Sequence, residues 1–257
     1  MLSPSLVAAA RPRLVALRRS ALLAVAALTA AVLAAPTAAA AVNPLPPAGR
    51  TYERLAVDWW QYALGQPAAT NPLQDTTGEH CATGQSGPVF FLVGALGSAS
   101  VTRECTIRPG RRLFFPLLNA FDVHVPGDGL DTPELVYQDF LSFGFSADTL
   151  FATVDGHPIG NLVPATTPYR ACAAPTPGCF PESFSITFPQ DNLFGLDAGV
   201  YEPAVQDGYY LLLPPLPPGE HTIRFGGTGT FAGSPISQDI TYHLVVKPKG
   251  RAARHAR

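Results

Sequence analysis

The chain has 257 residues and a formal net charge of −2; 47% of the residues are hydrophobic, 14% are charged, and 23 Gly, 27 Pro and 4 Cys are present. That composition excludes a disordered polyelectrolyte, a collagen, a coiled coil and a strongly basic nucleic-acid binder. Both ends are basic, whereas residues 42–246 hold 8 basic and all 19 acidic side chains, a net −11 that repels phosphate backbones and excludes nucleic acid as a partner.

Residues 1–41 read as a secretory signal peptide. Arg11, Arg13, Arg18 and Arg19 precede an apolar run from Ala21 to Ala35, and small residues lead to a cleavage point after Ala40 or Ala41. The run has about 15 residues against the roughly 20 needed to span a bilayer, and Pro36 ends it, so no transmembrane anchor is expected after cleavage. Export follows the Sec route or, from Arg18-Arg19, the twin-arginine route. The expected location is therefore secreted or on the exterior of the cell envelope. Cys81, Cys105, Cys172 and Cys179 all lie beyond the signal, and an even count in an exported chain points to two disulfide bonds. Three pairings are open; proximity favours Cys81 with Cys105 and Cys172 with Cys179. Neither pair has zinc-ligand spacing.

Residues 42–50 form a Pro-rich lead-in that cannot be helical. Thr51 to Leu64 is predicted as a helix, with Thr51 as its cap, Leu55, Trp59, Tyr62 and Ala63 on one face, and Gly65 and Pro67 as stop signals. Beyond residue 85, short β-rich runs alternate with Gly and Pro: 89–93, 100–107, 112–117, 150–154, 183–188, 209–213, 221–225 and 240–246. A second short helix is expected over Pro133 to Phe143, capped by Thr132, with Leu135, Val136, Phe140 and Leu141 repeating at helical spacing. These elements predict one domain over residues 51–246: a mainly β fold, an antiparallel β-sandwich of jelly-roll or immunoglobulin-like type with an N-terminal helix. No repeat of 20 to 50 residues is visible. Residues 247–257 read as a basic disordered tail.

Several local patterns occur together in this chain: Asp58-Trp59-Trp60, Asp75-Thr76-Thr77-Gly78, Cys81, Gly87-Pro88-Val89-Phe90-Phe91-Leu92, Arg103-Glu104-Cys105, Leu113-Phe114-Phe115-Pro116 and Pro218-Gly219-Glu220-His221-Thr222-Ile223. Their order resembles that of an uncharacterised group of secreted bacterial proteins. The resemblance covers about three-quarters of the chain beyond the signal and implies one folding unit; it brings no catalytic residue with it.

Motifs for serine hydrolases, zinc proteases and nucleotide binding are absent, so no reaction is identified. The acidic segment 122–134 places Asp122, Asp128, Asp131 and Glu134 where hard oxygen ligands for calcium could gather, though off the EF-hand spacing, and the same acids serve equally as caps of turns and of the next helix. No other cofactor is expected. Asp122 and His124, two residues apart, are the candidate acid–base pair; His80, His157, His221 and His243 are scattered. Trp60, Tyr62, Tyr209 and Tyr210 are candidates for stacking on a sugar ring, with helix packing as the alternative role for the tryptophans. The expectation is a secreted or envelope-associated binding module for a cell-envelope glycan or other polysaccharide. The alternatives are an extracellular hydrolase using a carboxylate or His124, and a structural envelope protein.

Overall fold

A computed structural model describes residues 41–248. The signal peptide, apart from Ala41, and the basic tail beyond Pro248 lie outside the described residues. The lead-in is extended, and Leu45 donates its backbone N–H to Leu212 at 2.7 Å. Helix α1 spans Thr51–Leu64. Its cap is Arg50 and not Thr51, whose hydroxyl donates back to the Ala48 carbonyl at 2.8 Å. Starting one residue early puts Thr51 inside the first turn, where its side chain no longer faces the free N–H groups ahead of it. The buried stripe also differs from the expected one. Tyr52, Ala56, Trp59 and Ala63 form its spine, Trp60 and Leu64 widen it, and Leu55 and Tyr62 lie at its margins.

Ten strands follow among the described residues: β1 Val89–Phe91, β2 Ala99–Ile107, β3 Arg112–Val123, β4 Ser146–Val154, β5 His157–Pro158, β6 Arg170–Ala173, β7 Phe184–Phe188, β8 Gly199–Leu213, β9 Gly219–Phe231 and β10 Ser234–Val246. They form two five-stranded sheets. One has the order β1-β3-β8-β6, with β7 also on β8; the other is β2-β10-β9-β4-β5.

The expectation of purely antiparallel sheets is corrected. β1 runs parallel to β3, and β2 runs parallel to β10 along its whole length. The two sheets are therefore mixed, which departs from the all-antiparallel sheets expected of a jelly-roll or immunoglobulin-like sandwich. The physical reason lies in the connections. Arg108-Pro109-Gly110 looks like a hairpin turn, yet it joins β2 of one sheet to β3 of the other. A short turn constrains chain direction but not which neighbour completes the hydrogen-bond ladder.

Strands β8 and β9 outrun their predicted lengths, and their internal glycines permit close backbone approach without ending the strand. A Cβ on Gly226 would lie 1.8 Å from the Gln238 carbonyl oxygen, and one on Gly229 would lie 1.9 Å from that of Ser146.

Sheet β1-β3-β8-β6 lies between α1 and the second sheet. Successive residues of β3 point to opposite faces. Phe114 stacks on Tyr210 at 5.3 Å and meets Tyr52 of α1 edge-on, whereas Phe115 packs on Phe225 of β9 at 4.5 Å. Helix α2, Pro133–Ser142, is capped by Thr132, whose hydroxyl accepts from the Leu135 N–H at 3.3 Å. Val136 and Phe140 of α2 pack with Ala120 and Val205, while Leu135 and Leu141 stay exposed. Disulfides join Cys81 to Cys105 and Cys172 to Cys179. No helix among the described residues is long and apolar enough to cross a membrane.

Candidate functional site

The most distinctive concavity follows from the shortness of β1. That strand pairs with only Arg112–Phe114 of β3, although β3 continues to Val123. Past Phe91 the chain bonds once more, Leu92 N–H to the Phe114 carbonyl at 3.0 Å, and then turns toward the other sheet. Arg103, fully buried, captures it there, donating to the carbonyls of Val93 and Gly94 at 2.8 and 2.9 Å, to that of Asp75 at 2.6 Å and to the Tyr242 hydroxyl at 2.9 Å. With four acceptors around it, the buried guanidinium is supplied with hydrogen bonds without an ion pair.

The divergence leaves one edge of β3 without a strand neighbour beyond Phe114. Pro116, which has no N–H to leave unpaired, occupies that stretch, and the pairing with β8 shifts between Pro116 and Leu118. Along this edge runs a cleft of about 170 Å³. Trp59 and Trp60 of α1 form one wall, Leu117 and Phe121 of β3 the floor, and Phe225, Phe231 and Ile236 of the second sheet the opposite wall. Leu96, 43% exposed, stands at the rim on the 94–97 loop. The Gln238 amide clamps that loop, accepting from the Ala95 N–H at 3.0 Å and donating to the carbonyls of Ala95 and Gly97. Asn119 and Gln238 are the polar side chains of the lining apart from the indole N–H groups, and no charged side chain belongs to it.

The two tryptophans carry most of one wall. Trp59 donates its indole N–H to the Leu92 carbonyl at 2.9 Å. Trp60 packs edge-on against Trp59 at 4.8 Å and on Phe121 at 4.5 Å. Its own N–H lies buried beside the Tyr210 hydroxyl without well-formed hydrogen-bond geometry.

The expected sugar-stacking surface is not formed. Trp60 is 5% exposed, Tyr209 7% and Tyr210 0%. Tyr62 is half-buried, its ring against Phe91 and its hydroxyl donating to the Thr83 carbonyl at 3.1 Å. The tyrosines on β8 are covered because that strand is central and has packing on both faces; Trp60 is covered because β3 extends far enough to bring Phe121 over it.

The acidic segment is likewise dispersed. His124 Nδ1 meets Asp128 Oδ1 at 2.7 Å, while Asp122 interacts with Asp139 of α2 and not with His124. Burial, together with the charges of Asp139 and Asp128, raises the Asp122 carboxyl to about 6 despite a hydrogen bond from the Val123 N–H, and its Oδ2 is buried with no hydrogen-bond partner among the described residues. Asp128 is already engaged by the N–H groups of Val125 and Leu130 as well as by His124, which together outweigh burial and lower its pKa. Asp131 and Glu134 are exposed around the start of α2. Among the described residues no group of three or more His, Cys, Asp or Glu is arranged to hold a metal ion, so the four candidate calcium ligands are not gathered. Asp122 and His124 do not line the cleft.

One further polar constellation unites residues far apart in sequence. Asp155 accepts from the Thr222 N–H and meets His221 Nδ1, both at 2.8 Å, while His221 Nε2 meets the Pro217 carbonyl at 2.9 Å. Both ring nitrogens face acceptors. The group latches the β4–β5 turn onto β9.

Sequence reasoning did not find Asn119, Phe121, Phe225 or Gln238 as site residues, since they converge from three strands. The adjacent tryptophans and the glycine-flanked 94–97 loop were the only local signals. Comparisons with protein-family models, with curated proteins and with solved structures find no match to this chain.

Proposed function

We propose that this chain is a binding module, secreted or associated with the cell envelope, and that its cleft takes up a small uncharged apolar molecule. The observation that carries the reading is an open cleft of about 170 Å³ with apolar walls and no charged side chain in its lining. An apolar cavity of about 150 Å³ is enough to hold a benzene-sized molecule. A charged ligand entering this cleft would give up hydration without meeting a counter-charge. The disulfides accord with an oxidising compartment.

Trp59 and Trp60 are the chain's two tryptophans and both line the cleft, so intrinsic fluorescence reports its occupancy. Titration with methylcyclohexane is expected to give a saturable change with a Kd of about 0.1–1 mM, the range open to a ligand of so few heavy atoms. Ile236→Phe, which fills the cleft from β10, is expected to abolish that change while leaving the circular dichroism spectrum intact. A fluorescence response that never saturates would overturn the reading and favour a structural envelope protein. Soluble sugar released from cell-wall polysaccharide would instead favour the hydrolase.

A further inference from the structure

We infer that Asn119 makes the cleft selective for apolar molecules that carry an uncharged hydrogen-bond donor, in the simplest case a hydroxyl; this rests on the cleft being the binding site. The direction of one buried chain of hydrogen bonds is the basis. A backbone carbonyl can only accept, so at Ala171 it must face the Gln206 Nε2, at 3.2 Å. That orientation turns Gln206 Oε1 toward the Tyr210 hydroxyl, which donates to it at 2.7 Å. Having spent its proton, the Tyr210 oxygen accepts from Asn119 Nδ2 at 3.2 Å.

Each amide in the series therefore has one permitted orientation. Gln206 is 1% exposed and Tyr210 0%, so water does not offer either of them another partner. Flipping Asn119 would set its Oδ1 against an oxygen whose proton points elsewhere and would leave a polar contact unmet in a dry environment. The relay thus turns Asn119 Oδ1 away from Tyr210, and this atom has no hydrogen-bond partner among the described residues. Asn119 belongs to the cleft lining.

Two other polar side chains of the lining are committed. Gln238 uses both ends of its amide on the 94–97 loop, and Trp59 donates to Leu92. The Trp60 N–H is buried and has no hydrogen-bond partner among the described residues. Asn119 Oδ1 is consequently the side-chain acceptor left open in the lining, beside the second Nδ2–H of the same amide. An alcohol both donates to that acceptor and can accept from the amide N–H, whereas an ether of the same size can only accept and leaves Oδ1 unmet. Tyr210 and Gln206 act as positioning residues, since they set the Asn119 amide without lining the cleft.

The test compares cyclohexanol, cyclohexyl methyl ether and methylcyclohexane by tryptophan fluorescence in the wild-type chain, in Tyr210→Phe and in Asn119→Leu. Tyr210→Phe frees the Asn119 amide to rotate, whereas Asn119→Leu removes the acceptor and leaves the Tyr210–Gln206 bond in place. The alcohol-to-ether affinity ratio is expected to fall by about fivefold in both variants, the scale of one neutral hydrogen bond, while methylcyclohexane affinity holds within about twofold in Tyr210→Phe, whose changed side chain does not line the cleft. A ratio unchanged in both folded variants would overturn the inference even if all three compounds bind. If the wild-type chain binds none of them, the cleft reading itself fails, and the selectivity falls with it.

Discussion

Two aspartates show how the surroundings of a residue set its behaviour. Burial raises the Asp122 carboxyl to about 6, with Asp139 and Asp128 adding to the effect. The unfolded chain binds that proton with a pKa of about 3.9, so between about pH 4 and pH 6 the folded chain holds more protons, and stability falls as pH rises. Asp122→Asn is expected to raise stability at pH 7 by about 1 kcal/mol, the full effect being reduced by partial solvent screening. It should also flatten the decline across that window, read from urea unfolding at pH 4.5 and pH 7. Asp75 behaves in the opposite sense. Its burial is outweighed by hydrogen bonds from the backbone N–H groups of Thr77, His80 and Gly78 and from the Thr77 hydroxyl, so its pKa is lowered. Its contribution is present above the ordinary carboxylate range and is lost as pH falls through the lowered value. Neither environment is legible at the residue itself: Asp139 reaches Asp122 from a helix, and the Asp75 donors depend on how the 75–80 turn closes.

Elements with local causes were the most legible. Thr132 and Pro133 announce the start of α2, and the segment from Thr51 to Leu64 carries a helical apolar stripe whose orientation was shifted only by which residues the sheet covers. All eight predicted strands lie where strands occur, but their partners were not readable, because a period of two gives faces and not neighbours. The disulfides provide a test at this scale. Cys81–Cys105 closes a separation of 24 residues and Cys172–Cys179 one of 7. On chain entropy, Ser replacement of the first pair is expected to cost about 3 kcal/mol and of the second about 2. Denaturant midpoints of the two double variants would measure the difference, and an inverted order would show that native contacts outweigh the entropy of the unfolded loops.

For the whole molecule, the charge and the site are separate. The body carries a net −11 over residues 42–246, yet the cleft lining has no charged side chain. Methylcyclohexane affinity is therefore expected to change by less than about twofold between 0.01 M and 0.15 M salt, although the Debye length falls from about 30 Å to about 8 Å; fluorescence titration at the two salt concentrations checks this. Composition, the helical spacing of apolar residues over 51–64 with its Gly65 and Pro67 stop signals, and the short β-rich runs were enough to determine a mainly β chain with a helix near residue 51, because each depends on residues close in sequence. The tertiary structure alone decided the two parallel pairs, the burial of the tyrosines on β8 and the cleft. All three depend on where the chain crosses between sheets: β1 stops at Phe91, Arg103 draws the following residues away from β3, and the gap that opens is bounded by side chains from α1, β3, β9 and β10, whose meeting no local pattern encodes.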